Sequence, residues 1–214
     1  MIVQQIQFDD VFAANCYFYI DEKTKHGFVI DPSANADKLL KIINDNNWHI
    51  EKILLTHSHL DHIGAVLGLS KMLNVHYFGF KAAEEYLSNP ALKAHFTDFH
   101  VLKAMQHFDN GDLITLVANP NIYLKVIATE GHTIDSVVFY DQKNNVAFTG
   151  DTIFNKGIGR TDIEGSGGNF QKLIQNIKNK ILTLDDKTVL YPGHGPKTRV
   201  KDEKSYFENL SNFF

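Results

Sequence analysis

Along the first third of the chain, apolar residues come in short runs separated by turn residues: Ile2 to Phe8, Cys16 to Ile20 and Gly27 to Ile30, the last ending at Asp31-Pro32-Ser33. Runs of this length predict three strands of a meander. From Asn35 to about Asn47 the pattern turns helical, with Leu39, Leu40, Ile42 and Ile43 on one side. The run Lys52-Ile53-Leu54-Leu55-Thr56 is too short for a helix and predicts a buried strand. A polar loop, a helix from about Gly64 to Leu73 and a strand near Val75 to Phe78 follow.

Lys81 to Asn110 reads as helix and loop, broken at Pro90. From Gly111 strand signals resume at Leu113 to Val117, Tyr123 to Ala128, Ser136 to Tyr140 and Val146 to Thr149, with a turn at Asn144-Asn145. Asn169 to Leu182 places Phe170, Leu173, Ile174, Ile177 and Ile181 at helical spacing. Thr188 to Tyr191 predicts a last strand, and Lys201 to Phe213 a closing helix. Strands and helices mix in each half, so the pattern predicts one α/β domain over residues 1–214 with halves of about 1–110 and 111–214. Two β layers would pack together under helices.

Composition narrows the function classes. A chain of 214 residues, 43% hydrophobic and 21% charged, is an ordinary globular one. The formal net charge is −4 and only two of the 21 cations are Arg, which argues against a nucleic-acid partner. No apolar run approaches the roughly 18 residues of a membrane helix, so no membrane partner is expected. Met1 to Phe8 shows no secretory signal, which makes the cytoplasm the expected location. With one Cys, neither a disulfide framework nor a thiolate zinc site is available. The 11 His residues are the excess that needs an explanation.

Directly after the buried strand stands His57-Ser58-His59-Leu60-Asp61-His62-Ile63-Gly64, four potential metal ligands within six residues. Imidazole nitrogens with a carboxylate oxygen are the ligand set that Zn, Fe or Mn accept. His57 and His59, two apart at a strand end, project the same way, and Asp61 and His62 can address a second position close by. Three further candidates each follow an apolar strand: Gly131-His132-Thr133, Gly150-Asp151 and Pro192-Gly193-His194-Gly195. Strand ends at one edge of a sandwich can converge, and the flanking glycines permit close approach. Asp31, at its own strand end, reads either as an acceptor for a ligand imidazole's ring proton or as a helix cap. Lys156 and Arg160, in the Gly-rich loop after Asp151, are candidate anchors for a substrate carboxylate. His26, His49, His76, His95, His100 and His107 lack ligand-like spacing.

Thr56-His57-Ser58-His59-Leu60-Asp61-His62, followed in order by His132, Asp151 and His194, resembles the metallo-β-lactamase fold superfamily and, within it, the glyoxalase II (hydroxyacylglutathione hydrolase)-like branch. Asn15-Cys16-Tyr17, Asp31-Pro32, Gly157-Ile158-Gly159-Arg160-Thr161-Asp162 and Pro192-Gly193-His194-Gly195-Pro196 extend the match. The resemblance implies a four-layer αββα sandwich in a short form without the C-terminal helical domain. It implies two divalent metal ions, zinc first, with iron or manganese as alternatives. His57, His59 and His132 would hold one, Asp61, His62 and His194 the other, and Asp151 both. The activity implied is hydrolysis of a small anionic thioester by a bridging metal-bound hydroxide, with Asp61 and Asp151 as the catalytic carboxylates. The alternatives are a mononuclear-iron persulfide dioxygenase on His57, His132 and Asp151, or a hydrolase of a lactone or phosphodiester. In the glyoxalase II pattern a basic residue at Arg160 contacts glutathione, with an aromatic two positions later, where this chain has Asp162.

Overall fold

The computed structural model describes residues 1–9, 12–88 and 104–211. The opening meander is present as β1 (Ile2–Phe8), β2 (Ala14–Ile20) and β3 (His26–Ile30). Helix α1 (Ala36–Asp45) then crosses to β4 (His49–Leu54). A single turn, α2 (Leu60–Ile63), and α3 (Val66–Leu73) lead to β5 (Tyr77–Phe80), and α4 (Ala83–Ser88) and β6 (Gln106–Phe108) complete the first half. The pairing is antiparallel across β1–β2–β3 and parallel from β3 to β6. The first sheet therefore runs in sequence order, β1 to β6.

The second half begins with β7 (Leu113–Thr115), β8 (Tyr123–Ala128), β9 (Val137–Asp141) and β10 (Val146–Gly150). A two-stranded ribbon, β11 (Ile153–Phe154) with β12 (Gly157–Ile158), stands apart. Helix α5 (Phe170–Asn176) runs on into a π turn over Ile177–Ile181. The chain then forms β13 (Val189–Pro192), β14 (Thr198–Arg199) and α6 (Val200–Ser211). The second sheet has the order β14-β13-β10-β9-β8-β7. β10 pairs with β13 in parallel, whereas β7, β8, β9 and β10 pair antiparallel in turn.

Three packed clusters give the layers. Cys16, Phe18 and Ile20 of β2 face outward onto Leu39, Ile43, Val66 and Leu69 of α1 and α3. Tyr17 and Tyr19, one residue out of step, face inward with Phe28 and Leu54 onto Leu124, Val126, Phe139 and Phe148 of the second sheet. On the far side Val138, Tyr140, Ala147 and Leu190 pack on Leu173, Ile177, Ile181 and Val200. A strand that buries both faces needs apolar residues at every position, which is why β2 reads as an unbroken run and not an alternation. The result is helices, sheet, sheet, helices, the expected αββα arrangement. Among the described residues no helix is long and apolar enough to cross a membrane.

The structure departs from the sequence expectation in four short strands and one helix. β6 lies in the stretch read as helix and loop, and β11, β12 and β14 are absent from that reading. Each has three residues or fewer, too short to carry a period of its own. The helix expected to Leu182 changes to a π turn at Ile177. Pro90, His95 and His100 fall outside the described residues, as does the end of the closing helix.

Candidate metal centre

Four strand exits meet at one edge of the sandwich. β4 delivers Thr56, His57 and His59, and the α2 turn that follows brings Asp61 and His62 back beside them. β8 leads into His132. β10 and β13, parallel neighbours paired at Gly150 and Pro192, end side by side and deliver Asp151 and His194. The two sheets are stitched at this edge, where Val137 N donates to the Thr56 carbonyl at 2.8 Å. Two glycines make the approach possible. Gly150 has φ +48°, and a Cβ there would lie 2.3 Å from Thr56 Oγ1. A Cβ on Gly193 would lie 2.1 Å from Asp151 Oδ1 and 2.7 Å from His62 Cε1.

All seven proposed ligands come together. His59 Nδ1 lies 3.1 Å from His57 Nε2 and 2.9 Å from His132 Nε2. His194 Nε2 lies 3.4 Å from His62 Nε2 and 3.3 Å from Asp61 Oδ2. Asp151 stands between the groups, its Oδ1 3.4 Å from His62 and its Oδ2 3.5 Å from both His132 and His194. The triads His57–His59–His132 and Asp61–His62–His194 each place their ligand atoms within 4.8 Å of one another.

Behind four of these rings stands an oxygen that accepts from Nδ1. His57 donates to Thr56 Oγ1 at 3.1 Å, His62 to Asp31 Oδ2 at 3.1 Å, His132 to the Arg160 carbonyl at 2.5 Å and His194 to the Phe12 carbonyl at 3.0 Å. The Thr56 hydroxyl is free to accept because its own proton goes to Asp31 Oδ2 at 2.6 Å. The network thus assigns each ring the tautomer that turns a bare Nε2 lone pair into the cluster. Four lone pairs and two carboxylates converge, and Asp151 Oδ1 is buried without a hydrogen-bond partner. A set of acceptors facing one another without donors is what a bound cation satisfies, so the residues fit a metal.

The family model of the metallo-beta-lactamase superfamily matches residues 9–194. The chain belongs to the metallo-beta-lactamase superfamily. Hydroxyacylglutathione hydrolase GloC of Haemophilus influenzae is 31% identical to it over 198 residues, covering 90% of this chain and 91% of that protein. Among solved structures, the BLEG-1 B3 metallo-beta-lactamase superposes with a TM-score of 0.84 at 31% identity, covering 95% of this chain and 97% of its own. TTHA1623, crystallised in a di-iron-bound form, superposes at 0.79 with 26% identity over 94% of this chain and 97% of its own. Superfamily members are in general metal-dependent hydrolases, and the cluster described above is the part of this member able to hold metal ions.

Electrostatics divide the cluster. Burial and the neighbouring imidazoles hold His57 well below the ordinary imidazole range and bring His59 down to about 3. Burial lowers His132 as well, against the pull of Asp151. For all three the shift favours the neutral ring, the form in which an imidazole can bind a metal. For His194 burial is outweighed by Asp151 and Asp61, which push it up to about 10, and His62 rises for the same kind of reason, with Asp151 and Asp31 overcoming its burial. Burial works against the charge of Asp151 and Asp61, yet the surrounding rings hold both carboxyls below the usual range.

Arg160 and Lys156 stand apart from the seven. Arg160 turns its guanidinium outward onto Asp162 at 2.9 and 3.1 Å, both side chains 71% exposed, and only its carbonyl reaches the cluster. Lys156 donates its backbone N–H to the buried Glu203 carboxylate of α6 and borders a surface cavity of about 400 Å³ with Lys197 and Arg199. For Asp31 the structure selects the imidazole partner, since the α1 cap is Asn35, whose side chain accepts from Lys38 N at 3.0 Å. Asn15 and Tyr17 were legible only as part of a motif. Asn15 Nδ2 donates to the Pro192 and Gly195 carbonyls, both at 2.9 Å, and Tyr17 Oη to the Pro192 carbonyl at 2.6 Å. Together they fix the loop that carries His194.

Proposed function

We propose that this chain is a thioester hydrolase of the glyoxalase II kind, holding two divalent cations, zinc first, and acting on a small anionic acyl thioester. The observation that carries the reading is the pair of triads sharing Asp151 between them. Two positions, each with three ligands, suit a catalytic pair and not the single site of a dioxygenase. The resemblance to GloC and to a di-iron protein supports the same reading. His57, His59 and His132 would hold one cation, Asp61, His62 and His194 the other, and Asp151 both.

When bound, such cations lower the pKa of a coordinated water towards neutrality and polarise an acyl oxygen. The chain's own part is positioning. Asp31, Thr56 and the carbonyls of Phe12 and Arg160 hold four rings from behind, so the ligand atoms need not reorganise during turnover. Asp61 and Asp151 stay ionised at neutral pH and accept hydrogen bonds from the attacking water. Water adds to the acyl carbon and the carbon–sulfur bond breaks, giving a carboxylate, a thiol and one released proton. Because a thiolate is a stable leaving group, the reaction needs no general acid. With two divalent cations held, Asp61 and Asp151 would cancel two of their four positive charges, leaving a pocket attractive to anions although the chain as a whole carries −4.

The test is metal analysis of the purified protein followed by a panel of thioesters, including S-lactoylglutathione, with a lactone, a phosphodiester and a persulfide. Two metals per chain with thioester turnover is the expected result. One iron per chain with oxygen uptake on the persulfide would overturn it.

A further inference from the structure

Among the described residues six large apolar side chains are exposed: Phe12 at 86%, Leu60 at 48%, Met72 at 46%, Leu113 at 56%, Val117 at 75% and Phe170 at 59%. Scattered exposure of this kind is ordinary, but three of the six are attached to the metal centre from three separate chain segments. The Phe12 carbonyl accepts from His194 Nδ1 at 3.0 Å. Leu60 stands between His59 and Asp61 and opens α2. Phe170 opens α5, and Asn169 just before it donates its N–H to the carbonyl of Gly131, the neighbour of His132, at 2.7 Å.

Phe12 also sits in an unfavourable backbone. Phe12 and Ala13 have φ of 52° and 56°, two consecutive non-glycine residues in the left-handed region, where a Cβ crowds the following carbonyl oxygen. Burial of the Phe12 ring does not offset that crowding. Strain kept beside a site, together with an apolar ring left in water, points to use by a ligand. Beside it, the Phe154 ring lies edge-on to His194 with centroids 5.9 Å apart. Two cations whose backbone joins this margin are held by carboxylates, Arg160 by Asp162 and Lys172 by Glu130. An electrophilic centre bordered by apolar side chains suits a ligand with a carboxyl-derived head and an apolar tail.

We propose that Phe12, Leu60 and Phe170 form an apolar rim that takes the acyl chain of the substrate. The enzyme then favours esters of medium-length aliphatic or arylalkanoic acids over acetyl or hydroxyacyl ones. The thioester linkage rests on the reading above; the apolar acyl preference rests on the rim alone.

Two measurements on the metal-loaded protein separate these claims. Calorimetric binding of straight-chain carboxylates from acetate to octanoate tests the rim directly, since they are the acids such a reaction releases. Affinity should rise roughly two- to fourfold per added methylene, the range for partial to full burial of a CH₂ group. Phe12→Ala and Phe170→Ala should each flatten that slope, while Leu113→Ala, exposed on β7, should leave it unchanged. Truncating an exposed ring removes no core packing, and thermal melts of each variant verify this. The second measurement compares kcat/KM for octanoyl and acetyl thioesters of one thiol, where the octanoyl ester should be favoured at least tenfold. Equal affinity for acetate and octanoate, or a slope that both Phe variants leave intact, would overturn the rim. Octanoate preferred while no thioester is turned over would uphold the rim and overturn the thioester reading.

Discussion

The carboxylate of Asp31 lies 3.1 Å from Nδ1 of His62, with both side chains buried. The same carboxylate accepts from Thr56 N at 2.8 Å and from Thr56 Oγ1 at 2.6 Å. One acidic residue at the end of β3 thereby sets the orientation of His62 directly and, through the threonine hydroxyl, that of His57. The two imidazoles belong to different triads, so Asp31 joins the two halves of the candidate metal centre.

Asp31→Asn keeps the size of the side chain and a left-handed backbone that Asn tolerates, but turns one acceptor oxygen into a donor. It should weaken metal binding by about 10- to 100-fold, the usual effect of losing a partner behind a ligand. A chelator-competition titration measures this. Unchanged affinity would show that the His62 ring is held by packing alone.

His59→Ala removes a proposed ligand whose Nδ1 faces both His57 and His132. Hydrolysis by the metal-supplemented variant should fall on the order of 10²–10³-fold in kcat/KM. A His59→Ala protein with full activity would place the reaction elsewhere in the molecule.

Gly193→Ala tests the close approach at the end of β13. Its methyl group would meet Asp151 Oδ1 at 2.1 Å and His62 Cε1 at 2.7 Å, so the carboxylate between the triads must move. Metal stoichiometry should drop below that of the parent protein, and overpacking should lower stability by about 1–3 kcal/mol. Elemental analysis and denaturant melts read the two effects separately.

Away from the metal centre, Asp21 makes a pH-dependent link. It is buried in the β2–β3 turn and accepts from Asn119 Nδ2 at 3.0 Å, Thr24 Oγ1 at 3.0 Å and Lys23 N at 3.2 Å. Burial alone would raise its pKa, but these donors outweigh it and hold the carboxyl below the ordinary value. A depressed carboxylate stabilises the fold above its unfolded pKa of about 3.9 and loses that contribution as pH falls through the lower folded value. Asp21→Asn should therefore cost about 1 kcal/mol at pH 7, with the difference from the parent shrinking below pH 4. Urea melts at pH 7, 4 and 3 follow it, and a difference that stays constant with pH would contradict the assignment.

Read along the chain, the apolar runs located most of the strands because a strand buried on both faces needs apolar residues throughout. They also placed the change from one sheet to the other near Gly111. The short pieces β6, β11, β12 and β14 were not legible, since two or three residues hold no period and form only against a neighbour already in place. The candidates from His57 to His62 were legible as a group, because a strand exit and one helical turn bring these residues close together, although their ring orientations depend on Asp31.

What sequence could determine, then, was local: which side chains can bind a metal and which strand ends carry them. Only the tertiary structure decided that His132, Asp151 and His194 meet that cluster, through the parallel pairing of β10 with β13 and the bond from Val137 to Thr56. It also decided the tautomers of His132 and His194, which depend on the carbonyls of Arg160 and Phe12. A backbone carbonyl is the same group in every residue, so its role as an acceptor has no signature in sequence and exists only once distant strands are paired. The same holds for Arg160, whose exposed ion pair with Asp162 depends on how its loop closes.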